Sequence, residues 1–338
     1  MTMMRRWEMT GFGREALRLQ RVPIPEPGPG HILVKSAAVS LNYRDTLVIE
    51  HGMGLALDFP FTPASDLAGT IAAIGAGVTR FQVGDRVLTT FFPGWIDGSA
   101  PGTAKTLDVG SLGGVHPGVL AEYIAVPEDW CVAAPHSLDL VEASTLPCAG
   151  LTAWFALVER GRLKAGQSVL VQGTGGVALF GLQIAKAHGA EVFVTSGAPE
   201  KRERARALGA DHAIDRDDWV EAVYRLTADR GIDHILEIVG GAHLARSLEA
   251  VAVDGRVSVI GVIAGYDLSG AAGNLMLKSA TVQGIRVGHR RALEDLVRAV
   301  DVMALKPVID RRYALEDVPA ALDHLERGPF GKIVIGFD

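Results

Sequence analysis

A glycine-rich turn between an apolar strand and a helix is the clearest chemical signal in the sequence. The apolar run at residues 169–171 predicts a buried strand, and the small residues that follow fall as Gly173-x-Gly175-x-x-Ala178. In this pattern the first glycine allows a tight turn, the second lets backbone N–H groups approach a pyrophosphate, and the third small residue keeps the helix close to the strand. The helix N-terminus adds unpaired N–H donors and a partial positive charge. Glycine-rich turns are common, but the strand before this one and the helix after it predict a dinucleotide site.

The elements around this turn predict the fold that must position it. Strands are predicted at residues 169–172, 191–195, 212–214, 234–239, 256–262 and 281–287. Helices are predicted between them at residues 177–188, 199–208, 217–228, 241–251 and 272–279. This alternation is typical of an α/β protein with a parallel, doubly wound sheet of the Rossmann type. The first third of the chain is instead β-rich and punctuated by glycine and proline, and 338 residues are enough for two domains.

The bulk composition excludes several classes of function. A hydrophobic share of 48% with 21% charged residues and a net charge of −6 is typical of a globular protein and predicts neither nucleic acid nor a membrane as a partner. No apolar run approaches the roughly 18 residues that a membrane helix needs. Cys131 and Cys148 cannot form a disulfide framework, so we expect a reducing compartment, the cytoplasm.

Several segments spread over nearly the whole chain carry a resemblance to a known family. They are residues 25–35, 40–45, 77–87, 143–154, 207–215 and 330–335, together with the glycine turn. In this order they resemble the medium-chain dehydrogenase/reductase superfamily, in particular its zinc-free, quinone-oxidoreductase-like branch. The resemblance implies a GroES-like, β-rich catalytic domain formed from both chain ends, residues 1–124 and 291–338. It also implies a Rossmann NAD(P)-binding domain at residues 125–290 and an active site in the cleft.

The positions at which zinc-bearing relatives hold their catalytic metal carry other residues here. By the resemblance, Asn42 replaces a cysteine, Ser65 replaces a histidine, and only Cys148 matches a ligand. One thiolate cannot hold catalytic zinc, which needs three protein ligands and an open position. The structural-zinc lobe of relatives needs four cysteines, and residues 92–118 contain none. We therefore expect no zinc and no other metal.

The choice between NADH and NADPH is set near the end of the second Rossmann strand. Ser196 occupies the position where NAD-preferring relatives place an aspartate that binds the ribose 2′-hydroxyl. By the same resemblance, Lys201 and Arg216 match positions that line the 2′-phosphate pocket in the quinone-reductase branch, although solvated helix or loop residues would look the same. Because a doubly charged phosphate needs cations, the sequence favours NADP(H) over NAD(H).

The other residues of the expected cofactor site lie at the turn, at strand ends and in the segments that carry the resemblance. They are Thr174, Gly176 and Val177 at the turn, Thr152 beside the nicotinamide of relatives, Val239 and Gly240 at the end of the fourth strand, Gly261 and Val262 at the end of the fifth, and Asn42 and Lys332. The carboxyl ends of neighbouring parallel strands form the crevice in which such a cofactor lies. Ordinary strand-end packing would account for each of these residues singly.

Without a metal, negative charge that develops on a substrate oxygen must be met by hydrogen-bond donors. Asn42 and Tyr43 are the residues expected to do so, on a loop that faces the cleft in relatives. Asn42 would donate to the ribose or to the substrate oxygen, and Tyr43 would either donate a proton or wall the pocket. Ser65 and Asp66, at the vacated metal position, would orient the substrate.

Three functions are compatible with these residues. The first is NADPH-dependent reduction of a quinone or an α,β-unsaturated carbonyl compound or acid, whose conjugation lowers the need for a Lewis acid. The second is a zinc-free, NAD(P)-dependent alcohol dehydrogenase or carbonyl reductase, and the third is NADPH binding without catalysis. Residues 281–287 would form an exposed sheet edge, which relatives pair across a two-fold axis, so we also expect a homodimer.

Overall fold

The computed structural model of the protein describes residues 2–337 and divides into two compact units. Unit 1 combines Met1–Leu151 with Gly288–Asp338, and unit 2 is Thr152–Val287. Both ends of the chain therefore belong to one unit, with the other inserted between them. In the part of the chain that the structure describes, no helix is both long and apolar enough to cross a bilayer.

The strands and helices follow the chain in a fixed order. The strands are β1 (Met3–Met9), β2 (Leu17–Pro23), β3 (His31–Leu41), β4 (Asp66–Ile74), β5 (Arg86–Thr89), β6 (Tyr123–Pro127), β7 (Cys131–Ala133), β8 (Ser168–Gln172), β9 (Glu191–Thr195), β10 (His212–Ile214), β11 (Ile232–Glu237), β12 (Val251–Val259), β13 (Thr281–Gly284), β14 (Ile309–Ala314) and β15 (Lys332–Gly336). The α-helices are α1 (Tyr43–His51), α2 (Leu140–Ala143), α3 (Leu151–Trp154), α4 (Gly176–Ala187), α5 (Pro199–Ala207), α6 (Trp219–Thr227), α7 (Leu244–Ala250), α8 (Ala272–Leu277), α9 (Arg290–Met303) and α10 (Val318–Glu326).

Unit 1 is built on a sheet in the order β14-β15-β3-β4-β5-β7, with β6 also paired to β3, and on a β1–β2 hairpin. The long strand β3 binds β15 on one side and β4 on the other, so the C-terminal strand lies beside the end of β3. The predicted border after residue 124 differs from the observed division. Residues 125–151 belong to unit 1 because β6 pairs with β3 and β7 pairs with β5.

Unit 2 contains a six-stranded parallel sheet in the order β10-β9-β8-β11-β12-β13. Every residue of β8 is buried, as expected for a parallel strand that is covered on both faces by helices. The strand order reverses between β8 and β11, which is the switch point at which such sheets bind ligands. The predicted doubly wound α/β sheet is confirmed, and each strand end lies within a few residues of its prediction.

The sequence predicts a helical segment at residues 139–159 that is interrupted at Pro147 and Gly150, and the structure shows an interrupted segment. Short α-helical turns α2 and α3 alternate with wider π-helical turns at Leu146–Gly150 and Phe155–Glu159. Pro147, inside the first wide turn, has no N–H to continue an α-helix, which explains the interruption. This broken segment carries Cys148 in unit 1 and Thr152 at the start of unit 2.

Candidate active site and cofactor site

The glycine turn leads from β8 into α4 and leaves the start of the helix open. Gly173 has a φ of 77°, in the left-handed region that favours glycine. Gly175 is the N-cap of α4, and within the described chain no side chain caps it. A Cβ at either glycine would enter open space, with no heavy atom of a more distant residue within 4 Å. The turn is completed by the predicted residues Thr174, Gly176 and Val177. The first N–H groups of α4 therefore face an open cradle that suits a pyrophosphate.

The backbone segments that follow β11 and β12 are in direct contact. A Cβ on Gly261 would lie 2.0 Å from Ile238 O, so only glycine fits this position. Gly240 has a φ of 72°, and a Cβ there would lie 2.7 Å from Gly261 O. The predicted residues Val239 and Val262 flank these glycines. The structure thus brings all four predicted strand-end residues together at the carboxyl ends of neighbouring strands.

The buried carboxylate of Glu237, the last residue of β11, fixes this segment, and the sequence did not single it out. Glu237 is 0% exposed, and its pKa is lowered because hydrogen bonds outweigh the opposing effect of burial. It accepts hydrogen bonds from Val239 N (3.0 Å), Gly240 N (2.9 Å), Gln172 Nε2 (2.9 Å), His243 Nδ1 (3.1 Å) and Ser247 Oγ. Gln172 Oε1 in turn accepts from Ile238 N at 3.0 Å. The network therefore ties the end of β8, just before the glycine turn, to the end of β11.

The end of β9 carries the residues predicted to select the cofactor. Ser196 is buried directly after the strand, and Lys201 lies near the start of α5. The Arg216 guanidinium lies against Gly197, where a Cβ would be 3.1 Å from Arg216 Nη2. Sequence reasoning gave no role to Arg202, which donates to Ser196 O (2.6 Å) and to Asp215 (2.7 Å). The guanidinium groups of Arg202 and Arg216 therefore both lie close in space to the end of β9.

A second polar cluster lies in unit 1, where β3 ends and α1 begins. Asn42 is the N-cap of α1, and its backbone N–H donates to Asp45 Oδ2 at 2.8 Å in a capping box. Lys332 Nζ donates to Leu41 O at 2.5 Å and to Asn42 Oδ1 at 2.6 Å. The antiparallel register, with Ile333 opposite Leu41, brings this lysine to the end of β3. Asn42 and Lys332, both predicted as cofactor residues, are thus bonded to each other.

Asp66 is the acidic member of the same cluster. Its Oδ1 accepts from Ser65 Oγ at 2.6 Å, and its Oδ2 accepts from Cys148 N at 3.0 Å. Burial raises the pKa of the Asp66 carboxyl, while the positive charge of Lys332 opposes the increase. Burial also raises the pKa of the Cys148 thiol, so that this side chain stays protonated and unreactive. The structure therefore brings Asn42, Ser65, Asp66 and Lys332 into one charge-coupled cluster.

Two predicted residues lie outside this hydrogen-bonded cluster. Tyr43 is the first residue of α1, directly after Asn42, and its side chain is 49% exposed. Thr152 is buried in α3 of unit 2. The roles predicted for both residues remain predictions.

Comparison with known proteins places this geometry in a family. A family model described as an alcohol dehydrogenase GroES-like domain matches residues 28–136, and one described as a zinc-binding dehydrogenase matches residues 176–302. A zinc-type alcohol dehydrogenase-like protein of Schizosaccharomyces pombe is 35% identical over 98% of this chain and 97% of its own length. The chain belongs to the medium-chain dehydrogenase/reductase superfamily. Within that superfamily it is an NAD(P)H-dependent oxidoreductase, and its GroES-like domain lies in unit 1.

Two further similar proteins cover nearly the whole chain or all of it. The quinone oxidoreductase of Sus scrofa is 28% identical and covers 96% of this chain and 94% of its own length. A solved structure of a candidate alcohol dehydrogenase from Sinorhizobium meliloti 1021 is 64% identical, with a TM-score of 0.97 and coverage of 100% of this chain and 99% of its own. The medium-chain reductase fold therefore accounts for all of the described chain, and the relatives' names divide between quinone and alcohol chemistry.

One of the matching family models is described as zinc-binding, but the residues of this chain do not suit a catalytic zinc ion. An asparagine amide, a serine hydroxyl and a single cysteine thiol occupy the three candidate positions, and zinc prefers thiolate, imidazole or carboxylate ligands. Asn42 Oδ1 and the Ser65 hydroxyl are already engaged by Lys332 and Asp66. Across residues 2–337, no three His, Cys, Asp or Glu side chains are grouped so that they could hold a metal ion. The residues at these positions therefore do not suit a catalytic zinc ion.

Proposed function

We propose that this medium-chain reductase is a zinc-independent, NADPH-dependent enzyme that reduces quinones or α,β-unsaturated carbonyl compounds or acids. The observation that carries the proposal is the Lys332–Asn42–Asp66 cluster, in which Asn42 occupies, by the resemblance, a position of a metal ligand in zinc-bearing relatives. An ammonium and hydrogen-bond donors can stabilise a delocalised enolate or hydroquinone anion. A simple ketone, which concentrates charge on one oxygen, gains more from a Lewis acid.

The reaction balances without a metal. When bound, the reduced nicotinamide supplies a hydride, that is, two electrons and one proton. For an enone, the hydride adds to the β-carbon and the electrons of the C=C bond move to the carbonyl oxygen as an enolate. A proton then adds to the α-carbon, and the product is the saturated carbonyl compound. The residues of this chain must therefore stabilise the enolate oxygen and admit one proton.

The protein groups available for these tasks lie in the cluster of unit 1. The Asn42 amide N–H is a hydrogen-bond donor for the developing negative charge, and the nearby Lys332 ammonium strengthens it. Tyr43 is the candidate proton donor, because its exposed hydroxyl can exchange protons with water. Ser65 and Asp66 are joined by a hydrogen bond within the cluster, and we assign them the orientation of the substrate.

The preference for NADPH over NADH is supported by the cations at the end of β9. Arg216 lies against Gly197, and Arg202 donates to Ser196 O, so both guanidinium groups would be available to a 2′-phosphate bound at this strand end. The same strand end offers no aspartate or glutamate at Ser196 to accept hydrogen bonds from a 2′-hydroxyl. We further propose a cytoplasmic location, because both cysteines are unpaired.

A second candidate function is a zinc-free alcohol dehydrogenase or carbonyl reductase. It is favoured by the names of the Schizosaccharomyces pombe and Sinorhizobium meliloti relatives. The two functions differ in the carbon that accepts the hydride, the β-carbon of a conjugated system or the carbonyl carbon itself. A matched pair of substrates separates them.

The test is nicotinamide oxidation in the presence of a chelator, with an enone, a quinone and the saturated ketone that matches the enone. We expect NADPH to be oxidised by the enone or the quinone at a rate that the chelator does not change, and NADH to be used less well. Arg216→Ala is expected to lower kcat/KM for NADPH by about tenfold and to leave kcat/KM for NADH nearly unchanged, since it removes one phosphate contact. Turnover of the ketone alone would favour the second candidate. Activity lost with chelator and restored by zinc would refute the proposal.

A further inference from the structure

A tyrosine, a histidine and an aspartate of unit 1 form a chain of polar contacts that the proposed reductase chemistry does not use. Tyr313 Oη lies 3.1 Å from His324 Nδ1, and His324 Nε2 lies 3.1 Å from Asp310 Oδ2. Tyr313 and Asp310 belong to the edge strand β14, and His324 belongs to α10. All three residues are partly exposed, with 20% of the His324 side chain and 19% of the Asp310 side chain open to solvent. A small molecule in solution can therefore reach this group.

The direction of each hydrogen bond follows from the groups involved. An ionised carboxylate only accepts, so the His324 Nε2 that faces Asp310 carries the ring hydrogen. In the neutral imidazole Nδ1 is then an acceptor, and Tyr313 donates its O–H to it. The carboxylate thus selects the tautomer in which the imidazole can take the tyrosine proton. A hydroxyl, a base within hydrogen-bond reach and a group that orients the base are the parts of an activated nucleophile.

A β-bulge brings Asp310 to the same histidine as Tyr313. In a regular strand, residues three apart point to opposite faces of the sheet. In the pairing of β14 with β15, the two neighbours of Asp310 lie opposite the consecutive residues Lys332 and Ile333, so Asp310 is an extra residue in its strand. Bulges redirect side chains and recur next to functional sites. A hydrogen bond from Tyr313 to His324 would join the strand to the helix without the carboxylate, so the bulge favours a role in proton transfer.

Two positive features lie where charge would develop during such a transfer. Arg311 Cζ lies 4.8 Å from the centroid of the Tyr313 ring. A guanidinium over an aromatic ring is attracted to its electrons, and the attraction increases as the phenol loses its proton. His324 lies in the last turn of α10, where the helix dipole favours a cation. The surroundings therefore stabilise both the tyrosine oxygen as a nucleophile and the imidazolium that forms.

We propose that Asp310, His324 and Tyr313 form an acyl-accepting site, at which Tyr313 Oη takes the acyl group of a small activated ester. Oη bonds to the carbonyl carbon while the phenol proton passes to His324 Nδ1. The bond from that carbon to the leaving oxygen breaks, and the leaving group departs as an anion with the bonding electron pair. His324 then releases its proton to water. The product is an O-acyl tyrosine, and no oxidant, reductant or nicotinamide takes part.

The probe is p-nitrophenyl acetate, added to the whole protein near neutral pH. Release of p-nitrophenolate gives the rate, and mass spectrometry of peptides from the acid-quenched protein gives the acetylated residue. We expect Tyr313 to be acetylated about tenfold faster or more than two tyrosines of unit 2. Tyr266 is 69% exposed, and the hydroxyl of Tyr224 donates to Glu249 O instead of to a base. Acetylation of Tyr313 no faster than that of Tyr266 would overturn the proposal.

Variants separate a base from a structural hydrogen bond between β14 and α10. His324→Asn keeps an acceptor near the position of Nδ1 but is not a base, and we expect it to slow acetylation of Tyr313 by about 10²-fold. Asp310→Asn cannot select the tautomer in the same way and is expected to slow acetylation by about tenfold. Tyr313→Phe is expected to abolish the fast phase of p-nitrophenolate release, and the matched control Tyr224→Phe to retain it. An unchanged rate in His324→Asn would show that the histidine serves only the fold, and would refute the assignment.

The variants are also assayed for thermal unfolding and for NADPH oxidation. We expect the reductase kcat and the NADPH Kd to be unchanged in all of them, because these residues take no part in the proposed reduction. If His324→Asn does not fold, the relative rates of Tyr313 and Tyr266 in the wild type decide the question without it. Reductase activity without fast acetylation of Tyr313 would discard this inference alone. Fast acetylation in a protein that reduces neither quinones nor enones would retain it and refute only the proposed function.

Discussion

At the scale of single residues, Asp45 combines a structural hydrogen bond with an unfavourable charge. Its carboxyl accepts the Asn42 N–H, yet it is 1% exposed, and burial raises its pKa from 3.8 to about 6 despite the opposing charges of Arg44 and Lys332. The folded protein binds the proton of the Asp45 carboxyl more tightly than the unfolded chain does. Protonation of Asp45 therefore contributes fully to the free energy of unfolding below pH 3.8, and this contribution is lost as pH rises through 6. We expect the loss to be about 3 kcal/mol.

The measurement is the free energy of unfolding of the wild type and of Asp45→Asn between pH 4 and pH 7. The asparagine keeps an acceptor for the Asn42 N–H but cannot ionise. Relative to the wild type, the variant is therefore expected to gain stability as pH rises through this range. Carboxyl groups that do not interact with Asp45, such as Glu122 with its lowered pKa, titrate alike in both proteins and cancel in the comparison. Parallel curves for the two proteins would contradict the prediction.

The residues of the site were partly predictable because their types carry chemistry. Asn42 and Ser65 are predicted as site residues because, by the resemblance, they replace zinc ligands of relatives, and Asp66 follows Ser65 directly. The structure places all three in one cluster. The bond between Lys332 and Asn42 could not be predicted, because it depends on the register of β15 against β3 across 290 residues of sequence. The role of Glu237 could not be predicted for a similar reason. Its hydrogen-bond donors include Gln172 in β8, Gly240 after β11 and Ser247 in α7, which are separate in the sequence.

At the scale of elements, the Glu237 network decides how firmly the segment after β11 is held beside the glycine turn. Glu237→Gln keeps the size of the side chain but replaces one acceptor oxygen with a donor. Either the Val239 and Gly240 N–H groups on Oε1 or the Gln172 amide on Oε2 then lose their acceptor. We expect the NADPH Kd to rise several-fold and the free energy of unfolding to fall by roughly 1–3 kcal/mol. Ser247→Ala is the matched control, because it removes one donor to Glu237 and leaves the bonds to Val239 and Gly240 intact. An equal NADPH Kd in Glu237→Gln and in this control would refute the role of the network.

The elements of unit 2 were predicted more accurately than those of unit 1, and the pattern of burial explains why. Parallel strands such as β8 are buried on both faces and give short apolar runs that are easily recognised. The strand β1 contains Arg5 and Arg6, which hide its alternation. Its position depends on pairing with β2 and on the Arg5–Glu122 ion pair at 2.8 Å, which joins residues distant in sequence. Long-range contacts of this kind leave no local pattern.

At the scale of the whole molecule, the outer edge of the parallel sheet favours association. The edge strand β13 is mostly exposed, and none of the residues of the neighbouring helix α8 is buried, with Met276 74% and Leu277 87% exposed. An exposed strand edge beside apolar side chains is a template for pairing with another chain. We therefore propose a homodimer in which β13 pairs with its copy across a two-fold axis.

A proline at Val282 tests this dimer without removing a hydrogen bond of the monomer. The Ile285 N–H donates to Val259 O at 2.8 Å, so alternate N–H groups of β13 face β12 and that of Val282 faces outward. Proline is tolerated on an edge strand when the missing N–H would face away from the sheet. By sedimentation at micromolar concentration, we expect the wild type and Val282→Thr to be dimers and Val282→Pro to be a monomer with an unchanged circular dichroism spectrum. A monomeric wild type, or a dimer that survives the proline, would show that the edge of β13 is not the interface.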